Sequence, residues 1–397
     1  MTDEPVRRSA ALVESVAACA FHVPTDAPEA DGTAAWEGTD VVVVLIRSGD
    51  MTGTGWTYGP AACADLVREL LAPVVVGSAV MHVSGTWLRM VRAVRNATRA
   101  GAAGYAISAV DVALWDLKAR VLGLPLADLF GVVERDVPVY GSGGFTSYTD
   151  DRLVQQLTGW VHQQGIPRVK IKIGQDRGAA PDRDLSRILL ARETVGPRAE
   201  LFVDANGAFT AKGAVRLFAR TADARVSWFE EPVSSDDLSG LHAVRRAIDA
   251  DVAAGEYGSD LTYFRRMVDA EAVDCLQVDA TRCGGYTEWF RAAAVAAAAG
   301  VDVSAHCAPN LHAHCAAATP NLRHVEWFHD HVRIESQLFS GGLDPLGGAI
   351  TPRTDSPGHG MSLNLDVAEA LRAAPRAAET ANGGASATPP GRGRSRP

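Results

Sequence analysis

The stretch Val169-Lys170-Ile171-Lys172-Ile173-Gly174 places two lysines on one side of an extended segment and Val169, Ile171 and Ile173 on the other, because side chains alternate along a strand. Outward from it the same form recurs, an apolar run that ends on a polar or ionisable residue. It is seen at 137–142 (VPVYGS), 201–206 (LFVDAN), 228–232 (WFEEP), 251–256 (DVAAGE), 275–281 (CLQVDAT), 301–307 (VDVSAHC) and 323–328 (RHVEWF). With 169 in place, successive starts lie 32, 32, 27, 23, 24, 26 and 22 residues apart, and helical, often Ala-rich sequence fills the gaps. Eight strand–helix units at that period predict an α/β protein of the (β/α)8 barrel type, with an open doubly wound sheet as the structural alternative.

Around this centre, residues 1–135 read as an α+β domain. Strands are expected at Ser15–Phe21 and Val41–Ile46, with a polar loop over 22–38 between them. A hairpin follows at 50–58 and a helix near 62–71. A longer helix is expected over 102–122, with Ile107, Val110, Leu114, Leu117 and Val121 on one stripe. The barrel is assigned to 136–332. Residues 333–372 read as irregular chain packing back on the first domain, and 373–397, rich in Ala, Gly, Pro, Arg and Ser, as a disordered tail.

The chain has 397 residues and a net charge of 38 − 47 = −9, which argues against a nucleic-acid partner. No run approaches the ~18–20 apolar residues of a membrane helix, and the first residues do not form a signal peptide. None of the six cysteines sits in a Cys-x-x-Cys pair, so reduced thiols in a cytoplasmic protein are expected.

In a barrel the C-terminal strand ends carry the chemistry. Asp204, Glu230 and Glu256 follow one another at intervals of 26 residues, one unit each, so they converge. Three clustered carboxylates repel unless a cation joins them, and an all-oxygen set suits Mg2+. Lys170 and Lys172 face the same point, and mutual repulsion and burial are expected to leave one a neutral base. His306 enters from the seventh strand with Asp279 on the sixth to orient it. Glu326, kept protonated by surrounding negative charge, is expected to donate a hydrogen bond to a bound carboxylate. Such a set removes the proton beside a carboxylate to give an enediolate, leading to racemisation or β-elimination.

The Lys-x-Lys, the Asp-x-Asn at 204–206, Trp-Phe-Glu-Glu-Pro at 228–232 and Gly-Glu at 255–256 resemble the enolase superfamily. The further spacing to Asp279, His306 and Glu326 is similar to its mandelate racemase subgroup, as is Ala-Ile-Ser-Ala-Val-Asp-x-Ala-Leu-Trp-Asp-Leu at 106–117. The resemblance implies that the N-terminal domain caps the barrel and that Asp204, Glu230 and Glu256 hold one Mg2+. It implies Lys172 as base on one face and His306, polarised by Asp279, as base or acid on the other. Lys170 and Glu326 would bind the carboxylate. Substrate contacts are expected from Ser142, Asn206 and the capping residues His22, Trp36, Trp56 and Tyr58. Dehydration of an acid sugar to a 2-keto-3-deoxy acid is the expected reaction, with racemisation of a 2-hydroxy acid as the alternative, in a homo-oligomer.

Two rivals remain at this stage. Residues 306–331 hold six of the eleven histidines, including His312-Ala-His314, which raises a zinc hydrolase barrel. That class wants its His-x-His on the first strand, whereas here it follows the seventh. A barrel kept only for binding is the other rival, and it predicts a missing ligand or base where none is missing.

Overall fold

A computed structural model describes residues 11–373, so the tail expected over 373–397 lies, apart from Ala373, outside the described residues. The expected strands form as β4 (Val137–Gly143), β5 (Arg168–Lys172), β6 (Glu200–Asp204), β7 (Val226–Glu230), β8 (Asp251–Ala254), β9 (Cys275–Val278), β10 (Asp302–Ala305) and β11 (Leu322–Phe328). They pair in parallel in chain order, and β11 closes on β4 with Val325 opposite Val139 and Glu326 opposite Tyr140. This is a closed eight-stranded (β/α)8 barrel. Val169, Ile171, Val203, Phe229 and Val325 point outward to the surrounding helices. Tyr140, Phe202, Trp228, Ala253 and Cys275 pack together as a separate apolar layer that forms the floor of the site.

The N-terminal domain is an antiparallel sheet of β1 (Ser15–Ala30), β2 (Ala35–Ser48) and β3 (Met51–Tyr58). Its main helix is α1 (Ala102–Leu122). The expected stripe of α1 is buried against Val42, Val44 and Ile46, with Val121 at its edge. Gly53 and Gly55 allow β3 to lie on this helix, since a Cβ at either would come within 2.2 Å of a helix carbonyl oxygen.

The polar loop expected over 22–38 is instead the outer half of the β1–β2 ribbon. Its polar residues, Pro24, Pro28 and Gly32 read as a loop by composition, but backbone pairing continues through Pro24 opposite Gly38. Pairing resumes at Glu29 opposite Trp36, so residues 25–28 face only Glu37 and form a wide bulge. Asp31 closes the tip by accepting from the Thr33 and Ala34 amides at 2.6 and 2.8 Å. The tip is tied to the barrel where Thr146 N donates to Ala30 O at 2.8 Å and Arg177 N to Gly32 O at 3.0 Å. At Gly32 a Cβ would sit 2.5 Å from Ala205 O and 2.8 Å from Ile173 O, so only glycine permits this approach.

Residue 332 falls inside helix α2 (His329–Leu338), which follows β11 as the eighth barrel helix, so regular structure extends past the point where the pattern was expected to dissolve. Farther on, Ala349 and Ile350 pair antiparallel with β4. His359 donates from Nε2 to Thr54 O at 2.9 Å and its amide donates to Asp116 at 2.9 Å, joining this segment to the first domain.

Candidate active site

The strand ends deliver their side chains to one end of the barrel because each chain turns sharply there. Asn206, Glu231, Cys307 and Ala308 have φ of 45°, 36°, 52° and 39°, a left-handed geometry that costs non-glycine residues energy and clusters at functional sites. Register sets Lys172 opposite Asp204 and Asp204 opposite Glu230. Lys172 Nζ lies 2.5 Å from Asp204 Oδ2. Lys170 donates to Glu230 and lies 2.8 Å from Glu326 and 3.4 Å from Asp204. Trp228 Nε1 supports the far oxygen of Glu230 from the floor at 3.0 Å.

Neither lysine is poised as a neutral amine. Burial pulls both down, but the carboxylates outweigh it. Glu230, Glu326 and Asp204 hold Lys170 well above its ordinary range, and Asp204 raises Lys172 despite repulsion from Lys170. Glu326 likewise departs from the expectation of a protonated donor. Burial favours its neutral form, yet Lys170, His306 and Lys172 drive it well below the usual range. It accepts from Ser142 Oγ at 2.6 Å and from Cys307 N at 2.8 Å, so it is an ionised acceptor.

On β10's side, His306 Nδ1 donates to Asp279 Oδ2 at 2.8 Å. The other Asp279 oxygen accepts from Thr281 N and Oγ1, both at 2.7 Å. Burial opposes the charge of Asp279, but His306 and Arg282 keep it below its ordinary value. A carboxylate on Nδ1 leaves the Nε2 lone pair free, which is the tautomer a base needs. Glu256 Oε2 faces Nε2 at 3.4 Å.

Lys172, Asn206, Glu256 and His306 line a cavity of about 550 Å³ whose far wall is the capping ribbon, with His22, Trp36 and Tyr58 among its residues. His22 donates from Nδ1 to Asp40 at 2.7 Å and Trp36 from Nε1 to Glu29 at 2.9 Å. Two expected contacts are not on this wall. Ser142 is fully buried beneath Glu326 and holds that carboxylate. Trp56 is fully buried between the domains, stacked on Phe339 with its Nε1 on Glu335 at 3.2 Å. Both point inward on strands whose alternate residues the sequence shows but whose depth it does not. Asp31 of the ribbon also lines the cavity, and Arg282, Asp40 and Thr39 were missed and do so as well. Arg282 lies 3.2 Å from Glu256 and 3.5 Å from Asp279, and its place three residues after Asp279 in a strand–helix loop was the available signal.

The histidine-rich segment has a structural use. His312 Nε2 accepts from Ala280 N at 2.8 Å and its Nδ1 donates to Cys307 O at 2.8 Å. Burial depresses His312, His314, His324 and His331, which keeps them neutral.

A barrel closed by a capping sheet, with two lysines, a His–Asp pair and converging carboxylates at its mouth, defines a carbon-acid enzyme of the enolase type. The sequence matches the family described as enolase C-terminal domain-like over residues 152–367. It matches the mandelate racemase / muconate lactonizing enzyme N-terminal domain over 16–131. The chain belongs to the mandelate racemase / muconate lactonizing enzyme family of the enolase superfamily.

A mandelate racemase/muconate lactonizing enzyme-like protein from Rubrobacter xylanophilus is 45% identical, superposes with a TM-score of 0.87, and is matched over 90% of this chain and 99% of its own. A racemase from Streptomyces coelicolor A3(2), solved with bound magnesium, is 30% identical with a TM-score of 0.85, over 91% and 99% of the two chains. The L-talarate/galactarate dehydratase of Salmonella typhimurium is 30% identical over 77% of this chain and 78% of that protein. Homologues in this set are dehydratases, cycloisomerases and epimerases. Among the described residues, no helix is long and apolar enough to cross a membrane.

Proposed function

We propose that this protein is a Mg2+-dependent dehydratase that removes the α-proton of an acid sugar and expels the neighbouring hydroxyl to give a 2-keto-3-deoxy acid. One observation carries the reading: Lys172 and His306 open onto one cavity from strands β5 and β10, with two strands between them on one side and four on the other. A substrate held between them meets a proton-transfer group on each side.

The residues fit the metal. Asp204, Glu230 and Glu256 are buried and offer only oxygen, and among the described residues Glu256 Oε2 and the nearby Asn206 Oδ1 are buried without hydrogen-bond partners. Such a hard set suits Mg2+, which when bound supplies Lewis-acid stabilisation of the charge that develops on the substrate carboxylate. Lys170 binds that carboxylate with its ammonium. Glu326 stays ionised and fixes Lys170, with Ser142 and the Cys307 amide holding Glu326 in turn. Lys172 takes the α-proton as a neutral amine, the form it would gain where a cation draws off the Asp204 charge that otherwise keeps it an ammonium. His306 enters the step doubly protonated, with Nδ1–H on Asp279, and delivers its Nε2 proton to the departing hydroxyl, leaving the neutral ring.

The cavity favours a polyhydroxylated substrate over an apolar one, since His22, Asp31, Thr39, Asp40 and Arg282 all face it. The named activity of the Salmonella relative agrees. The racemase alternative uses the same two bases across one carbon and is favoured by the aromatic part of the wall, Trp36, Tyr58 and Phe328. A panel of acid sugars assayed for keto-acid product, with mandelate alongside, tests the proposal. Proton exchange without any keto acid would replace it with the racemase reading. The reading also takes the protein as cytoplasmic, homo-oligomeric and divided at 135 and near 332.

A further inference from the structure

Beside the proposed magnesium carboxylates lies a second, chemically different set of ligands. Cys307 Sγ is 3.3 Å from His306 Nε2, and Glu326 Oε2 is 3.9 Å from the same nitrogen. One ligand atom from each of His306, Cys307 and Glu326 falls within 4.8 Å of the others, and all three residues are buried. Zn–S and Zn–N bonds of about 2.3 and 2.0–2.1 Å in a tetrahedron put S and N about 3.6 Å apart and N and O about 3.4 Å apart. Against those values the observed S–N separation is about 0.3 Å short and the N–O separation about 0.5 Å long, so small side-chain adjustments would seat the ion.

Two further features point to a cation there. Asp279 on Nδ1 leaves the Nε2 lone pair directed at the cluster, and a carboxylate behind a ligating histidine is the usual support of a zinc site. Among the described residues Glu326 Oε2 accepts the Cys307 amide alone and keeps a lone pair for a metal.

We propose that His306, Cys307 and Glu326 form an inhibitory site for a soft divalent cation, zinc above all, separate from the all-oxygen magnesium site. The thiolate selects zinc over magnesium, which prefers oxygen. On binding, the Cys307 thiol gives its proton to solvent and its sulfur bonds the metal, His306 binds through Nε2, and bound water leaves the ion. The enzyme then loses the nitrogen that moves its proton, so occupancy switches activity off reversibly. The regulatory part of this inference rests on the catalytic reading above; the binding part does not.

The test uses the full chain saturated with Mg2+. Co2+ added as a zinc probe should produce the near-ultraviolet thiolate-to-metal charge-transfer band, and Cys307→Ser should abolish it. Zn2+ affinity, measured against a chelating dye, should fall at least about 10-fold in Cys307→Ser and in Asp279→Asn. Zinc inhibition, read against each variant's own zinc-free rate, should weaken in Cys307→Ser by a similar factor. The proposal is overturned if the wild-type protein gives no thiolate band. It is also overturned if Cys307→Ser is inhibited by zinc as readily as wild type, which would place zinc on Asp204, Glu230 and Glu256. A thiolate band in a protein that turns over no acid sugar would leave the site standing and remove the catalytic reading instead.

Discussion

The substitution Asp279→Asn separates the orientation of His306 from its presence. Thr281 N and Oγ1 both donate to Asp279 Oδ1 at 2.7 Å, so the amide oxygen of the substituted side chain must stay there. The amide nitrogen then faces His306 Nδ1, and the ring answers by moving its proton to Nε2. To hold the doubly protonated ring that delivers a proton, the variant gives up a charge-assisted hydrogen bond of about 1.5–3 kcal/mol and leaves a buried donor unpaired at about 1–3 kcal/mol more. Taking about 3–5 kcal/mol together, proton delivery from Nε2 slows by roughly 10²–10⁴. Deuterium exchange at the substrate α-carbon and keto-acid formation, each under saturating Mg2+, measure this directly. Thermal unfolding should change little, because the Thr281 bonds survive. If Asp279→Asn retains turnover within about threefold of wild type, Asp279 does not set the tautomer and the role given to His306 is wrong.

Ser142→Ala removes one of the bonds that hold Glu326 while Lys170 and the Cys307 amide remain. It should cost about 1–2 kcal/mol in stability, with a several-fold fall in kcat and no new substrate preference, which steady-state kinetics on two acid sugars would show. Gly32→Ala drives a Cβ against Ala205 O and Ile173 O, so the ribbon tip lifts; KM should rise more than kcat falls, and a barrel-only stability probe should not move. Glu29 is pushed up to about 8 from an ordinary 4.5, by burial first and Asp330 next. A folded value above the unfolded one means that its contribution to stability is whole below about pH 4.5 and is lost as pH rises through 8. The melting temperature should therefore fall between about pH 5 and 8 in the wild type and level off above that, and Glu29→Gln, with no proton to lose, should flatten the fall.

The barrel was legible because each strand is a short apolar run ended by a charged or polar residue, a pattern that depends on local alternation alone. The carboxylate, lysine and His–Asp positions followed from counting one unit between them. What the sequence hid is three-dimensional. Glu326 looks crowded by acids in a linear count, yet Lys170, Ser142 and the Cys307 amide reach it from other strands and keep it charged. Lys170 and Lys172 look mutually repulsive, while the carboxylates opposite them in register decide the sign. Trp56 and Tyr58 share one strand face, but two residues along that strand separate the domain junction from the cavity wall. The ribbon over 22–38 reads as loop because its order comes from docking on Thr146 and Arg177, more than 100 residues away.

That ribbon has a consequence for how such an enzyme changes over evolutionary time. Its base pairs with β3, which lies on a helix through backbone contacts that admit only glycine, and its tip rests on the barrel mouth, while residues 25–28 between them face a single residue across the ribbon. Length added or lost in that slack stretch would be absorbed there and would not slide the paired strands below. The part of the chain that meets the far end of a substrate can thus be retailored in size and polarity while the scaffold beneath it, and the proton chemistry opposite, stay unaltered.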